Sequence, residues 1–400
     1  MINPDKTALI IGAGIAGSSL AYQLAKRNYQ VTLLDENNQH EIEIFQNKAA
    51  MISPHFMLNN PKYNSLMSKA SKYAYDLTKE FNYPKEDALM EGVIKLYEND
   101  MADRLIERIV SIGLEKADFK YLSKDLIKKK YGINNKAGIL FKYAGWVSPN
   151  KICSSLINHK NIKLIPKKKA KEISYKNNLW IANCDDSNKY AASNLILCNS
   201  FALNEISLFK DIDLKKNRGQ INWLPSKKKH GSKEIISDSG YLIPDVSGFD
   251  VFGSTYDRDN ENKNLSTTDF DKNLKTYQRL SGDRIEKNDM PITGWVGWSA
   301  VTPDRTPYVG QLLDESKMIC NKPRSIQDLK WHPNLFINAG YGSRGYTLAP
   351  FISKCLASLI GGSQTSIEED LLNYLNPCRN RIKKMGLRKK MLSNSILQTN

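Results

Sequence analysis

Three glycines near the N-terminus have the spacing with which a backbone can approach phosphate groups. Gly12, Gly14 and Gly17 lie between an apolar stretch at 7–11 and a segment with helical spacing at 15–27. The first glycine permits a tight turn, the second admits a pyrophosphate, and the third lets the helix pack closely on the strand. The start of that helix adds N–H groups and a partial positive charge. The pattern predicts a dinucleotide site, which also includes the intervening Ala13, Ile15 and Ala16.

An acidic pair ends the next strand-like stretch, at 29–36. Asp35 follows Gly17 by about eighteen residues, which is where a carboxylate can accept hydrogen bonds from ribose hydroxyls. Glu36 comes directly after it. Two carboxylates repel the additional phosphate of NADP, so the pattern favours NAD or FAD. It does not distinguish between these two cofactors.

A second glycine cluster lies about 320 residues later, where the strand-like run from residue 335 gives way to three glycines. This density of glycine indicates a backbone that approaches another group closely. An arginine in such a turn is suited to binding a carboxylate. The plainer alternative is an exposed arginine that caps the turn. The cluster consists of Gly340, Tyr341, Gly342, Ser343, Arg344 and Gly345.

The chain carries a formal net charge of +16. Such a charge predicts a polyanionic partner such as RNA, although a lysine-rich composition without functional meaning is an equal alternative. Two basic groups stand out. The first comprises Lys160, Lys163, Lys167, Lys168, Lys169 and Lys171, and the second comprises Arg379, Arg381, Lys383, Lys384, Arg388, Lys389 and Lys390.

A metal site, disulfide bonds and a membrane-spanning segment are not expected. The six cysteines are scattered without a CxxC pair, and the five histidines do not cluster. This usage is typical of a reducing compartment without a zinc site or a disulfide framework. No stretch has the eighteen apolar residues of a membrane span. We therefore expect a cytoplasmic protein without a bound metal.

Strand–helix–strand patterns occur at both ends of the chain, and the middle is rich in short strands. This order predicts an α/β fold in which a Rossmann-like nucleotide domain is interrupted by a β-rich α+β substrate domain. The expected nucleotide domain comprises 1–90, 141–215 and 301–375. The substrate domain comprises 91–140 and 216–300, and a basic tail follows at 376–400.

Five further motifs, in this order, resemble the glycine oxidase/D-amino-acid oxidase (DAO) superfamily of FAD enzymes. They are RGQINWLP at 218–225, GYLIP at 240–244, FGSTYDRD at 252–259, TPDRTPYVG at 302–310 and NAGYGSRGYTLAP at 338–350. NKAAMISP, GWVSP and LNPCRNR resemble more closely the oxidoreductase half of the bifunctional proteins of tRNA 5-methylaminomethyl-2-thiouridine biosynthesis. The methyltransferase half of those proteins is not expected here, because the glycine motif begins almost at Met1.

The resemblance implies bound FAD, with the second glycine cluster beside the flavin ring and Ala170 near the adenine end. It implies catalytic roles for Arg344 and for Tyr241, which matches a tyrosine that reaches the substrate carboxylate. The implied reaction removes the carboxymethyl group of 5-carboxymethylaminomethyl(-2-thio)uridine at the tRNA wobble position, giving 5-aminomethyluridine and glyoxylate. A separate tRNA methyltransferase would complete the modification. The implied contacts to the anticodon stem-loop are Arg379, Arg381, Lys383, Lys384 and Arg388.

Two positions depart from the family pattern. Ser299 stands where the superfamily commonly has an arginine that clamps the substrate carboxylate, and Ala50 stands where relatives have glycine. Arg344, Arg218 or Arg258 could replace the missing arginine. The alternatives are a small-molecule amine oxidase of the glycine or sarcosine oxidase type, and a flavoprotein without turnover.

Overall fold

The computed structural model of this 400-residue chain describes most of its length. The N-terminal and C-terminal residues, Cys320 and parts of the predicted domains lie outside the described residues. The described ranges are 6–37, 46–205, 212–226, 234–258, 260–285, 292–318, 323–363 and 366–393.

A six-stranded sheet carries the first glycine motif. Its central strands are parallel and almost wholly apolar, as expected for a sheet that is covered on both faces. One edge strand, β20, runs antiparallel to its neighbour. In spatial order the strands are β20 (Tyr308–Leu313), β21 (Trp331–Ala339), β13 (Asn194–Leu197), β1 (Thr7–Ile11), β2 (Gln30–Leu34) and β9 (Ile162–Ile165).

Four helices belong to the layer around the first glycine turn. The first of them, α1, contacts both α5 and α7, and α7 also contacts α2. Asn60 caps α2 by accepting a hydrogen bond from the Tyr63 N–H at 3.0 Å, and Pro61 occupies the first helical position. These helices are α1 (Ile15–Ala25), α2 (Pro61–Glu80), α5 (Pro149–Ile157) and α7 (Gly345–Ile360).

A nine-stranded sheet forms the second layer. Its neighbours pair in the order β18-β14-β17-β16-β15-β5-β7-β6, and β19 pairs with β14. The strands are β5 (Val93–Tyr97), β6 (Phe119–Leu122), β7 (Ala137–Phe141), β14 (Lys215–Pro225), β15 (Ile235–Ser237), β16 (Tyr241–Val246), β17 (Phe249–Gly253), β18 (Asp257–Arg258) and β19 (Gly294–Val301).

Helix α6 (Thr267–Ser281) covers one face of this sheet. The sheet residues that pack with it alternate along the strands, as the two-residue period of a β-strand requires. They include Ile94, Ile236, Leu242 and Phe252. The residues between them therefore face the opposite side of the sheet.

Besides four 3-10 helices, the remaining described elements form two small sheets and five α-helices. One sheet has the order β10 (Ala170–Lys176), β11 (Leu179–Cys184), β12 (Lys189–Ala192) and the other the order β3 (Ala50–Ile52), β8 (Gly145–Val147), β4 (Ala88–Leu89). The helices are α3 (Asn99–Ser111), α4 (Lys124–Tyr131), α8 (Ser366–Leu375), α9 (Arg379–Lys384) and α10 (Arg388–Ser393).

The α/β fold class is confirmed, because the described residues form both helices and mixed sheets. The helix expected at 15–27 is present as α1. The domain limits given above stay a prediction. The segment after 376 is not an extended tail where it is described, because Ile382, Leu387 and Met391 pack against Leu313 and Leu329.

Within the described ranges, no helix combines the length and apolar character needed to cross a membrane. The same residues contain no group of three or more His, Cys, Asp or Glu side chains that could hold a metal ion.

Candidate active site

A cavity of about 480 Å³ is lined by both glycine turns and by the nine-stranded sheet. Loop and strand residues from 47–55 close another side of it. The described lining therefore brings together segments that are up to about 330 residues apart in the chain. Nine of the predicted cofactor residues line it: Gly14, Ile15, Ala16, Gly340, Tyr341, Gly342, Ser343, Arg344 and Gly345.

The first glycine turn has the geometry that the motif predicts. Gly12 has a φ of +101°, and a Cβ there would lie 2.7 Å from the Cys198 carbonyl oxygen. A Cβ on Gly17 would lie 1.8 Å from the Gly12 oxygen. At Gly14, in contrast, nothing lies within 4 Å of the Cβ position. The turn is closed by its own backbone but open at Gly14, where a ligand can approach.

Asp35 stabilises this turn directly. One carboxylate oxygen accepts a hydrogen bond from the Ala13 N–H at 2.7 Å, and the other accepts one from the Asn37 N–H at 2.9 Å. Lys168 N–H donates to the Asp35 carbonyl at 2.8 Å, so the chain leading into Ala170 runs beside the acidic strand end. The neighbouring Glu36 is exposed and pairs with Lys169. Ribose contacts by these acids remain a prediction.

The second glycine turn begins where β21 ends. Gly340 has a φ of +81° and Gly342 a φ of +57°, a region that side chains rarely adopt. Asn338 links this turn to the first one, because its Nδ2 donates to the Ala16 carbonyl at 3.2 Å. A Cβ on Gly345 would lie 3.1 Å from Ile15 Cγ2. The two glycine turns are therefore in contact.

One row of paired residues crosses the nine-stranded sheet on the cavity side. The register aligns each residue with the next across neighbouring strands. Directly paired residues share one face of a sheet. The row is Lys95, Ser237, Tyr241, Gly253, Ile221 and Trp295, and all of these except Gly253 line the cavity. The hydroxyl of half-buried Tyr241 has no hydrogen-bond partner among the described residues, and burial raises its pKa.

Basic side chains give the cavity its electrostatic character. Arg344 Nη1 donates a hydrogen bond to the Tyr63 hydroxyl at 2.9 Å, and its guanidinium lies 5.8 Å from the centre of the Tyr63 ring. Lys95 is only 9% exposed, and burial, followed by the Arg344 charge, lowers its pKa to about 7. Burial, followed by the charges of Lys95, Arg344 and Arg305, lowers the pKa of His55 to about 3.

The open first turn and the polar atoms of the lining fit a bound dinucleotide. Gly14 leaves open space at the start of α1, and Ser53 Oγ and Asn217 Oδ1 are buried polar atoms without a partner among the described residues. Both of these residues line the cavity. A buried polar atom usually has a hydrogen-bond partner, so a bound ligand would supply it.

Of the three arginines that could replace the missing carboxylate clamp, two do not line the cavity. Arg218 is 1% exposed, pairs with Asp269 and donates to the carbonyls of Asn262 and Asn264, so it cannot act as a substrate clamp. Arg258 is exposed and does not line the cavity. The third of these arginines, Arg344, does line it.

Arg379 is wrongly predicted as an RNA contact. It is 3% exposed, pairs with Asp304 at 2.6 Å and donates to the Thr306 and Pro307 carbonyls. Half-buried Arg388 donates to the carbonyls of Asn373 and Tyr374, which makes it part of the same packing.

The other basic residues differ in whether they are exposed and whether a described carboxylate pairs with them. Exposed Arg381 pairs with Glu315 at 2.9 Å, whereas exposed Lys383 and Lys384 have no ion pair among the described residues. In the first basic group, Lys168 pairs with Asp186, and Lys169 pairs with Glu36 and Glu205. The exposed members without such a pair are Lys160, Lys163, Lys167 and Lys171. The Lys390 side chain lies outside the described residues.

The fold and the cavity define a flavin-dependent oxidoreductase, and a comparison with protein families agrees. The model "DAO: FAD dependent oxidoreductase" matches residues 7–359. The chain therefore belongs to this family, and FAD is its cofactor.

A comparison with curated proteins finds relatives with a more specific name than that of the family. The chain is 27% identical over 387 residues to the tRNA 5-methylaminomethyl-2-thiouridine biosynthesis bifunctional protein MnmC of Legionella pneumophila, a match that covers 94% of this chain and 57% of the relative. A protein of the same name from Leptospira borgpetersenii is 30% identical over 402 residues, with 94% and 60% covered. The chain thus spans less than two thirds of the length of these relatives.

Solved structures support the fold. Glycine oxidase from Geobacillus kaustophilus superposes with a TM-score of 0.70 at 16% identity, covering 90% of this chain and 95% of that one. L-proline dehydrogenase from P. horikoshii gives a TM-score of 0.74 at 16% identity, covering 95% and 99%. At this identity the similarity concerns the fold alone.

Sequence reasoning missed Lys95 and His55. The signal for Lys95 was present, because it interrupts the otherwise apolar strand Val93–Tyr97. A lysine is almost never fully buried without a partner. His55 follows NKAAMISP directly, but nothing in that motif indicates that a histidine there would face the cavity.

Proposed function

We propose that this chain removes the carboxymethyl group of 5-carboxymethylaminomethyl(-2-thio)uridine at the tRNA wobble position. The products are 5-aminomethyluridine and glyoxylate. The observation that carries the proposal is the match to relatives named for this tRNA modification along 94% of the chain. The cavity supports it, because a basic wall suits a substrate with a carboxylate. A tRNA methyltransferase then acts on the amine product.

The chemistry divides between cofactor and protein. FAD supplies a hydride acceptor. The substrate carbon between the secondary amine and the carboxylate loses a hydride, water adds to the resulting C=N bond, and its breakdown releases glyoxylate. The tRNA keeps the amine. The electrons balance, because both electrons of the broken C–H bond leave the substrate with the hydride.

The protein must hold the substrate and keep its amine neutral. Arg344 lies in the cavity wall and is held in place by Tyr63, so it can bind the substrate carboxylate. Tyr241 has an unpartnered hydroxyl on the sheet and can donate to the same group. A poorly hydrated cavity lowers the amine pKa, because desolvation disfavours the charged form. The neutral lone pair then assists hydride departure.

Exposed lysines would bind the tRNA backbone. Six exposed lysines have no ion pair among the described residues: Lys160, Lys163, Lys167, Lys171, Lys383 and Lys384. Phosphate contacts of this kind release counterions and weaken steeply with salt. Replacing Lys383 and Lys384 by serine should reduce both the affinity for tRNA and the slope of that affinity against salt concentration. Replacing buried Arg379 tests folding rather than binding.

Anaerobic mixing tests the reaction. Holoprotein mixed with tRNA that carries the carboxymethylaminomethyl group should lose its oxidised flavin absorbance, and glyoxylate should appear in equal amount. Unmodified tRNA is the matched control. Reduction by free glycine or sarcosine, but not by the modified tRNA, would instead assign the chain to the small-molecule amine oxidases. Flavin that responds to neither would identify a flavoprotein without turnover.

A further inference from the structure

Lys95 is a buried cation without a counter-ion. It lies on β5, it is 9% exposed, and no described residue forms a hydrogen bond or an ion pair with its ammonium group. Burying a charge that has no partner is costly. Its position in an otherwise apolar strand places it in the cavity wall rather than in solvent. The charged form of this side chain therefore needs an anion that the described residues do not provide.

The cavity contains one described carboxylate, and that group is engaged elsewhere. Asp238 pairs with Arg279, and its Oδ1 accepts a hydrogen bond from the Gly240 N–H at 3.1 Å. The remaining charged or titratable groups in the described lining are Arg344, His55, Cys198 and tyrosines, and burial raises the pKa of the Cys198 thiol. Since His55 is neutral above a pKa of about 3, the net charge of this lining is positive whenever Lys95 is protonated.

Lys95 also has two hydroxyl neighbours on the same face of the sheet. Ser237 pairs directly with Lys95, and Tyr241 pairs with Ser237. Neighbouring strands are about 4.8 Å apart, so the Lys95 and Tyr241 backbones are separated by roughly 10 Å. A carboxylate between these two side chains can accept hydrogen bonds from both. At the other end of the sheet row the residue is Trp295 on β19, an uncharged side chain, and Ser299 on that strand is also neutral.

We propose that Lys95, together with Tyr241 on the sheet and Arg344 on the opposite turn, forms the subsite that binds the carboxylate of the substrate. Ser237 lies between Lys95 and Tyr241, but its hydroxyl donates to the Gly240 carbonyl at 3.1 Å. This inference rests on the proposed function, because it concerns the same cavity. Lys95 is the residue that distinguishes a carboxylate from a neutral group of the same shape. It binds the carboxylate as an ammonium ion, so it takes up a proton if it was neutral before binding.

Binding of acetate to the holoprotein tests this subsite. Acetate binding is followed by the flavin absorbance, and proton uptake by a pH-indicator dye at pH 8. With a pKa of about 7, Lys95 is mostly neutral at that pH, and an adjacent carboxylate raises its pKa. The wild type should therefore take up close to one proton per acetate. Acetamide, which has nearly the same shape without the charge, should bind weakly and without uptake.

Three variants make the test specific. Lys95→Met should weaken acetate binding by about tenfold or more and abolish the proton uptake, because a charge-assisted hydrogen bond is lost. Lys95→Arg should retain binding without proton uptake, because arginine is already charged at pH 8. Lys120→Met, which changes an exposed lysine on β6 of the same sheet, should behave as wild type.

Unchanged acetate affinity in Lys95→Met would overturn the subsite. If that variant does not fold, Lys95→Arg remains decisive, because undiminished proton uptake in it would contradict the assignment equally. Failure of the proposed function has a different signature. In that case wild-type holoprotein would bind acetate with proton uptake, but its flavin would not be reduced by modified tRNA.

Discussion

The side chain of Asn338 donates a hydrogen bond from Nδ2 to the backbone carbonyl of Ala16, 322 residues earlier, at 3.2 Å. The same Nδ2 donates to Ser353 Oγ at 3.0 Å, and the Tyr341 hydroxyl donates to Asn338 Oδ1. One buried amide thus joins the start of α1, the second glycine turn and α7. It fixes the two glycine turns of the cavity relative to each other.

Replacing Asn338 by alanine should lower the free energy of unfolding of the flavin-free protein by about 1–3 kcal/mol, since buried partners lose their hydrogen bonds. Urea denaturation measures this change. Exposed Asn134, for which the structure shows no side-chain hydrogen bond, provides the matched control Asn134→Ala. Equal stability of the two variants would show that the link is unimportant.

Gly14 and Gly17 should respond differently to alanine. Gly17→Ala places a Cβ against the Gly12 oxygen, so it should destabilise the flavin-free protein. Gly14→Ala meets nothing within 4 Å and should leave that stability nearly unchanged. It should nevertheless reduce FAD affinity by about tenfold or more, because the added methyl group occupies the space of the pyrophosphate. FAD titration of both variants, with unfolding curves, checks the contrast. Normal FAD affinity in Gly14→Ala would place the pyrophosphate elsewhere.

Arg344→Ala should reduce kcat/KM for modified tRNA by about a hundredfold, since a charged group that contacts the substrate contributes several kcal/mol. Tyr63→Phe removes only the hydrogen bond that holds the arginine, so it should have a smaller effect, about three- to tenfold. Single-turnover flavin reduction measures both. Normal turnover by Arg344→Ala would rule out its catalytic role.

His55 should make the protein sensitive to mild acid. Its pKa is about 3 in the fold and about 6.5 in the unfolded chain, so between these values the unfolded state binds more protons. The free energy of unfolding must then fall as the pH decreases through this window, by up to about 1.4 kcal/mol per pH unit. His55→Gln should lack this contribution between pH 6.5 and 5. If the free energy of unfolding had the same slope against pH in the variant and in the wild type, His55 would not be a buried neutral histidine.

The sequence was informative where function depends on local backbone geometry. Gly12, Gly14 and Gly17 could be interpreted because strand, turn, helix and acid follow one another within thirty residues. Arg379 was misjudged because its role depends on Asp304, 75 residues away, and a basic segment gives no sign of which residue points inward. Lys95 escaped notice because the strands that make its surroundings come from residues 93 to 301, and only the sheet register aligns them.

The tRNA nucleosides of a strain that lacks this protein would show whether it acts on the wobble uridine. We expect 5-carboxymethylaminomethyl(-2-thio)uridine to accumulate, and we expect the wild-type gene to restore the 5-aminomethyl-derived nucleosides while an Arg344→Ala copy does not. A wobble-uridine profile identical to that of the parent strain would contradict this expectation.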